Sequence, residues 1–321
     1  MKTTPSFATF GTSVTPILDS FELSYKEALD YLGHVLGIAS ARTRIRRDRL
    51  GLLQEIIEKT HYVQPFQVIT NYYGIHPSER HIPTFDEIKL SMFSRQGGVC
   101  YELNAFLNRL LHVLGYHVTL IAGQFMGFDR YHVSNVVHDE TSSGKLYLAE
   151  VGACDPTLRP VPFDFDDESP IYTDSYLTYK FKRARDGEII RLHKPIKGSM
   201  DEEMYGERSW HGSWRVNTKL DVRNPRDVDY FAEQMSYVFG ALPRPKLRIL
   251  SDIVFALICG SRNQVSLIHS NSCSIRKEDG VIEHHVFSSP DELLDAYRRH
   301  FPTIPQNKVE NAITNGKIKF S

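Results

Sequence analysis

The sequence predicts an α+β fold, and three features of its patterning lead there. Apolar residues recur at helical spacing in segments from Ser24 to Leu114. After Gly115 the period shortens to that of strands, and turn residues punctuate the chain to about residue 225. The stretch 226–321 mixes both periods. Helices followed by strands, rather than strands alternating with helices, argue against a parallel βαβ sheet.

The elements follow in order. Ser24 with Glu27 three residues later forms a capping box, and Leu29, Leu32, Leu36, Leu50, Leu53, Ile56 and Ile57 predict helical structure to about Lys59. The arginines Arg42, Arg44, Arg46, Arg47 and Arg49 within it read as a solvated face, because Asp48 interrupts them and the net charge is balanced. Thr84 to Phe93 starts with a capping residue and predicts a short helix. Cys100 to Leu114 is the strongest helix: Leu103, Phe106, Leu107, Leu110, Leu111 and Leu114 form one apolar stripe, closed by Gly115. Tyr116–Ala122, Tyr131–Val137 and Lys145–Val151 read as strands, with shorter candidates from Pro156 to Leu220. Beyond them come a helical Asp227–Val238, strand-like Val265–Ser274 and Gly280–Phe287, and a helix Pro290–His300.

Composition narrows the function. With 38 Lys+Arg against 39 Asp+Glu the net charge is −1, which speaks against a nucleic-acid binder. The longest apolar run, Ile253–Cys259, is far short of a membrane span, and Met1–Phe10 lacks the apolar core of a signal peptide. Four scattered cysteines make no disulfide framework and show no zinc spacing, so a cytoplasmic protein with reduced cysteines and no metal is expected. His284-His285 reads as a strand-surface pair, and Trp210 and Trp214 as buried packing.

The segment Arg95-Gln96-Gly97-Gly98-Val99-Cys100-Tyr101-Glu102-Leu103-Asn104 puts a cysteine on the first turn of a buried helix. Unpaired N–H groups and the helix dipole favour a thiolate there. Gly97 and Gly98 allow a tight turn and the close approach of a ligand. A lone buried cysteine is commonly just a small hydrophobe; the double glycine before Cys100 and the amphipathic helix after it favour a nucleophile. Such a nucleophile needs a base and the base an orienting group. A hairpin centred on Thr141 sets His132 opposite Glu150, a carboxylate in an otherwise apolar run that calls for a partner. Asp155 is the rival acid. Cys154 lacks the helix start that would activate it.

These residues resemble the arylamine N-acetyltransferases. That family carries an Arg-Gly-Gly-aromatic-Cys turn, a strand histidine and an acid before Val-Gly, similar here to the run through Cys100, to His132 and to Glu150-Val151-Gly152. His61-Tyr62-Val63-Gln64-Pro65-Phe66 and the segment from Asp227 to Phe301 are also similar. The chain departs from the pattern at Gln96, where the arginine stands one place earlier as Arg95, at Val99 in place of the aromatic residue, and at Glu150 in place of aspartate. It departs again in the loop Gly152-Ala153-Cys154-Asp155-Pro156.

The resemblance implies a helical bundle (residues 1–115), a β-barrel (116–225) and an α/β lid (226–321) around a cysteine-protease-like core. It implies an acyl-CoA-dependent N-acyltransferase with acetyl-CoA or another acyl-CoA as donor and an aromatic amine or hydrazine as acceptor. Cys100 would be the nucleophile, His132 the base and Glu150 its orienting acid; Phe125 and Tyr131 beside the hairpin, and the turn at Gly152, are the residues expected at the acyl and amine pocket. A hydrolase or biosynthetic amide synthase on the same scaffold, or a silent binding homologue, are the alternatives. No nucleic acid, membrane or metal partner is expected.

Overall fold

The computed structural model describes residues 22–320 apart from 126, 140–143, 154, 196–209, 242–253, 263 and 278–281. Thr141 and Cys154 lie outside the described residues. The chain opens on helix α1 (Tyr25–Asp30), where the Ser24 hydroxyl accepts from the Glu27 N–H and the Glu27 carboxylate accepts from the Ser24 N–H. A π-helical turn, Tyr31–Val35, continues it. The single helical pattern expected to Lys59 is broken here. Gly37 and Ser40 take positive φ (70° and 57°), and Asp48 caps a fresh start, dividing the rest into α2 (Ala41–Arg47) and α3 (Arg49–Val63). Apolar spacing marks the buried face of a helix but carries no record of such interruptions. Only part of the arginine group is solvated. Arg44 pairs with Asp48 and Glu55, while Arg49 donates to the Gly115 carbonyl at 2.7 Å and stacks over the Tyr116 ring.

Helix α4 (Phe85–Phe93) begins with the Thr84–Glu87 capping box, and α5 (Cys100–Val113) follows after one turn. The stripe on α5 is buried as expected, packed among Tyr31, Leu52, Ile56 and the strands that come next.

Those strands are β2 (His117–Phe125), β3 (Phe128–His138), β4 (Leu146–Ala149), β5 (Val161–Pro162), β6 (Tyr172–Asp174), β7 (Leu177–Arg183), β8 (Ile189–His193), β9 (Trp210–His211) and β10 (Trp214–Leu220). They form one antiparallel sheet in the order β5-β4-β3-β2-β10-β8-β7-β6, with β9 beside β10. It curls around its own core of Ile121, Val136, Leu148, Tyr179 and Phe181. Trp214 is buried within it under Lys180 and Lys194, but Trp210 is exposed, against the expectation that both would be packed.

A second sheet takes β1 (Phe66–Gln67) from the helical region as its edge and continues through β11 (Phe255–Ser261), β12 (Gln264–His269), β13 (Ser272–Lys277) and β14 (Ile282–Val286). The run Val265–Ser274 is therefore two strands, joined at Ser270, whose φ of 51° marks the turn. The expected Asp227–Val238 helix is a 3₁₀ turn, Val228–Phe231, leading into α6 (Ala232–Val238). Helix α7 (Pro290–His300) lies where the sequence predicts it, and α8 (Gln306–Asn315) packs after it. His284 and His285 are exposed on β14. Among the described residues no helix is long and apolar enough to cross a membrane, and no group of three or more His, Cys, Asp or Glu could hold a metal ion.

Candidate active site

Cys100 is the first residue of α5, and the turn before it is held from three sides. Gly97 sits at φ 67°, and any Cβ there would lie 1.9 Å from the Pro65 carbonyl oxygen. The Gln64 side chain accepts the Gly97 N–H at 3.1 Å, the Pro65 carbonyl accepts the Gly98 N–H at 3.1 Å, and Ser91 Oγ donates to the Gly97 carbonyl at 2.7 Å. The two glycines thus admit the chain's own backbone and the Glu102 side chain, against which a Cβ at Gly98 would collide at 2.4 Å. Arg95 anchors the turn's outer side, donating from Nη2 to the His34 carbonyl at 2.8 Å.

His132 lies mid-way along β3 rather than at its start, with its ring buried beside Cys100. Its Nε2 is 2.7 Å from Glu150 Oε2. The hairpin register differs from the expected one. Asn135 faces Ala149 and Val136 faces Leu148, and the next step brings Ser134, not His132, across from Glu150. Moving the turn centre by one residue slips the partners by two, which keeps both side chains on one face. Glu150, just past the end of β4, reaches His132 diagonally. With Nε2 given to Glu150, Nδ1 is the ring nitrogen left to interact with the neighbouring Cys100. The Cys100 sulfur also lies 3.7 Å from the Tyr131 carbonyl oxygen.

The carboxylate is fully satisfied. Oε1 accepts from Asn104 Nδ2 and from the Gly152 N–H, each at 2.7 Å, and Oε2 accepts from Ser134 Oγ as well as His132. His61, from the last turn of α3, approaches the Glu150 carbonyl oxygen with Nε2 at 3.1 Å. Asn104 also donates to the Val133 carbonyl, and its own oxygens accept from Asn135, which in turn accepts from Asn108. Asn104 and His61 stand in the sequence motifs without an assigned role, and Ser134 and Asn135 have no place in the sequence expectations. A signal existed for two of them: Asn104 is one helical turn after Cys100 and Ser134 is two strand positions after His132, each on the same face as its neighbour.

Burial works against charge on both partners, yet the pair overcomes it. Burial pushes the His132 imidazole down, but the Glu150 charge and the hydrogen bonds with Cys100 and Glu150 carry its pKa above the ordinary value. Burial pushes Glu150 up, and the His132 charge with the donors His132, Ser134 and Asn104 brings it well below the usual carboxylate range. An imidazolium–carboxylate pair is the favoured state, beside a sulfur at a helix N-terminus.

Asp155 does not reach this site. Its Oδ2 accepts from Asn217 at 3.0 Å and lies 3.5 Å from His193 Nδ1, deep in the barrel. Gly152 packs directly on Cys100: a Cβ there would lie 2.4 Å from Asn104 Nδ2 and 2.7 Å from Cys100 Cα. The Phe125 ring is centred 6.3 Å from the His132 imidazole, and the Tyr131 ring stacks edge-on to Phe128 at 5.6 Å.

A cysteine at the start of a helix, beside a histidine on one strand and an acid just past the end of the next, fits a fold of the cysteine-protease-like class. Residues 84–239 match the model of the N-acetyltransferase family. The chain is similar to a probable arylamine N-acetyltransferase 3 from Dictyostelium discoideum, 26% identical over 106 residues, which are 30% of this chain and 33% of that one. It is also similar to proansamycin X synthase from Amycolatopsis mediterranei (strain S699), 40% identical over 78 residues, 22% and 29% of the two chains. The chain thus spans about a third of the length of these curated relatives. The fold is that of the arylamine N-acetyltransferase from Mycobacterium abscessus (TM-score 0.69, 17% identity, 91% of this chain and 95% of that one). It is equally that of the Mycobacterium marinum enzyme solved in complex with CoA (TM-score 0.70, 14% identity, 91% and 100%).

Proposed function

We propose that the protein is an acyl-CoA-dependent N-acyltransferase, transferring an acetyl group from acetyl-CoA to an aromatic amine or hydrazine through a covalent Cys100 intermediate. The observation that carries this reading is the placement of Cys100, at the start of α5, beside the buried His132–Glu150 hydrogen bond. Cys100 Sγ attacks the thioester carbonyl, and the tetrahedral oxyanion forms beside the first N–H groups of α5. The bond to the donor sulfur breaks, and His132 hands that sulfur its proton. The amine nitrogen then attacks the acyl-enzyme, His132 takes the proton the nitrogen sheds, and the Cys100 thiolate leaves. Glu150 keeps the ring oriented and the imidazolium stabilised. Phe125 and Tyr131 would wall the acyl and amine pocket, and Gly152 keeps its floor flat beside Cys100. The donor is supported by the family match and by the CoA-bound Mycobacterium marinum relative.

One observation favours a second reading, a biosynthetic amide synthase on the same centre: the similarity to proansamycin X synthase. The two are separated by mass spectrometry of the acyl-enzyme across a panel of acyl-CoA donors, followed by release with and without an arylamine. Acetyl loading on Cys100, discharge only by the amine and parallel double-reciprocal plots are expected. Absence of any acyl adduct from CoA thioesters would overturn the donor assignment. Release as free acid without an amine would make the protein a hydrolase.

A further inference from the structure

A cavity of about 350 Å³ opens on the far side of α5 from the stripe, between that helix, β2 and the segment leading to α6. Its size is at the lower end of those that hold small metabolites. Asn108, Arg109, Thr119, Arg226 and Asp227 supply its polar wall. Arg109 makes no hydrogen bond or ion pair among the described residues, and its Nε is shut off from solvent. Arg226 is held in place by its backbone N–H on the Leu120 carbonyl at 2.9 Å and by stacking over Tyr230; its Nη2 stands 3.6 Å from Asp221. Its Nε is likewise buried without an acceptor.

Buried donors are normally satisfied, and leaving one without an acceptor is destabilising. Two guanidinium groups, each with a buried Nε lacking an acceptor, on one small cavity call for a ligand rich in acceptors. Asp227 on the wall and Asp221 beside Arg226 offset the two positive charges, so selectivity would come from the geometry of the guanidinium donors rather than from net charge. Guanidinium forks match the spacing of phosphate and carboxylate oxygens. We propose that this cavity is a second binding site, separate from the Cys100 centre, for a small ligand bearing an oxyanion group, phosphate above all. Its wall residue Asn108 is the outer end of the amide chain that runs through Asn135 and Asn104 to Glu150.

The test uses the full chain and needs no acyl transfer, so it stands apart from the proposed reaction. Inorganic phosphate is titrated against a chloride control of equal ionic strength, with calorimetry and Tm as readouts. Saturable binding and a phosphate-dependent rise in Tm are expected for the unaltered protein. Arg109→Met should weaken binding about ten- to a hundredfold, the loss of charge-assisted hydrogen bonds, and abolish the rise in Tm. Without phosphate this variant should be at least as stable as the parent, because it removes an unsatisfied buried donor. Arg109→Lys, which keeps charge but not the fork, should fall between. No saturable binding beyond the chloride control, or unchanged binding in Arg109→Met, overturns the proposal. Displacement of the phosphate by coenzyme A, dependent on Arg109, would make the cavity part of the donor site and overturn its separateness.

Discussion

Replacing Glu150 by Gln tests the line from Cys100 to Glu150 with a defined geometric consequence. Oε1 accepts from Asn104 and from the Gly152 backbone N–H, and a backbone N–H cannot reverse its role. The glutamine oxygen therefore takes the Oε1 position, and its amide nitrogen takes that of Oε2, facing Ser134 and His132. Ser134 can rotate its hydroxyl to accept. His132 can accept only by moving its proton from Nε2 to Nδ1, the nitrogen that must receive the Cys100 proton. The substitution thus removes the charge that favours the imidazolium and installs the wrong tautomer. A hydrogen bond to a charged group contributes about 1.5–3 kcal/mol, a factor of about ten to a hundred in rate. The corresponding change in a serine triad costs about 10⁴, and a thiol, which ionises more readily, is less dependent on its base. A loss on the order of ten- to a thousandfold is expected. The assay is the rate of Cys100 alkylation by iodoacetamide as a function of pH, beside steady-state acyl transfer and a Tm to confirm folding. Near-parental alkylation and turnover in a folded Glu150→Gln protein would refute the assignment of Glu150, and with it the role of the whole line.

Asp155→Asn should leave Cys100 alkylation within about twofold of the parent, because its partners are Asn217 and His193 and none of them touches His132; a crippled enzyme would restore Asp155 as the orienting acid. Gly152→Ala drives a Cβ against the Cys100 backbone, so it should lower stability by about 1–3 kcal/mol, read as a lower Tm, and slow acylation more than a remote variant of equal Tm does. Glu102, buried behind the nucleophile turn, accepts the Val99 N–H at 2.8 Å and a donor from Asn71, and burial pushes its carboxyl up to about 8. Between the ordinary carboxylate value and about 8 the folded state holds a proton the unfolded chain has lost, so stability should fall with rising pH across that window, by up to about 1.4 kcal/mol per pH unit. Glu102→Gln should flatten that slope in denaturant titrations from pH 5 to pH 8 (about the window above), and an unchanged slope would show that another group carries it.

The satisfied state of Glu150 shows how a glutamate can be held at a position where the resembling family carries aspartate. The extra methylene lets the carboxylate cross diagonally from the end of β4 to His132 while Asn104, Ser134 and the Gly152 N–H hold it. Four donors on two oxygens offset the burial of the charge, the condition under which a buried ion pair is tolerated.

Local patterning alone determined a good part of this protein. The α5 stripe, its start at Cys100 and its end at Gly115, the Ser24 and Thr84 caps and α7 were legible because each depends on residues within a turn or two of one another. Cys100, His132 and Glu150 were legible as a set because parity along a strand survives a slip of two residues, even though the register itself was misplaced. Only the tertiary structure decided what surrounds them. Asn104 and Ser134 reach Glu150, His61 reaches its carbonyl, and Asp155 turns away to His193 and Asn217, all through contacts between residues distant in the chain. The pairing of Phe66–Gln67 with a strand some 190 residues later is of the same kind. Periodicity states which face of an element is buried; what it is buried against is set by how sheets and helices pack, and no local spacing encodes that.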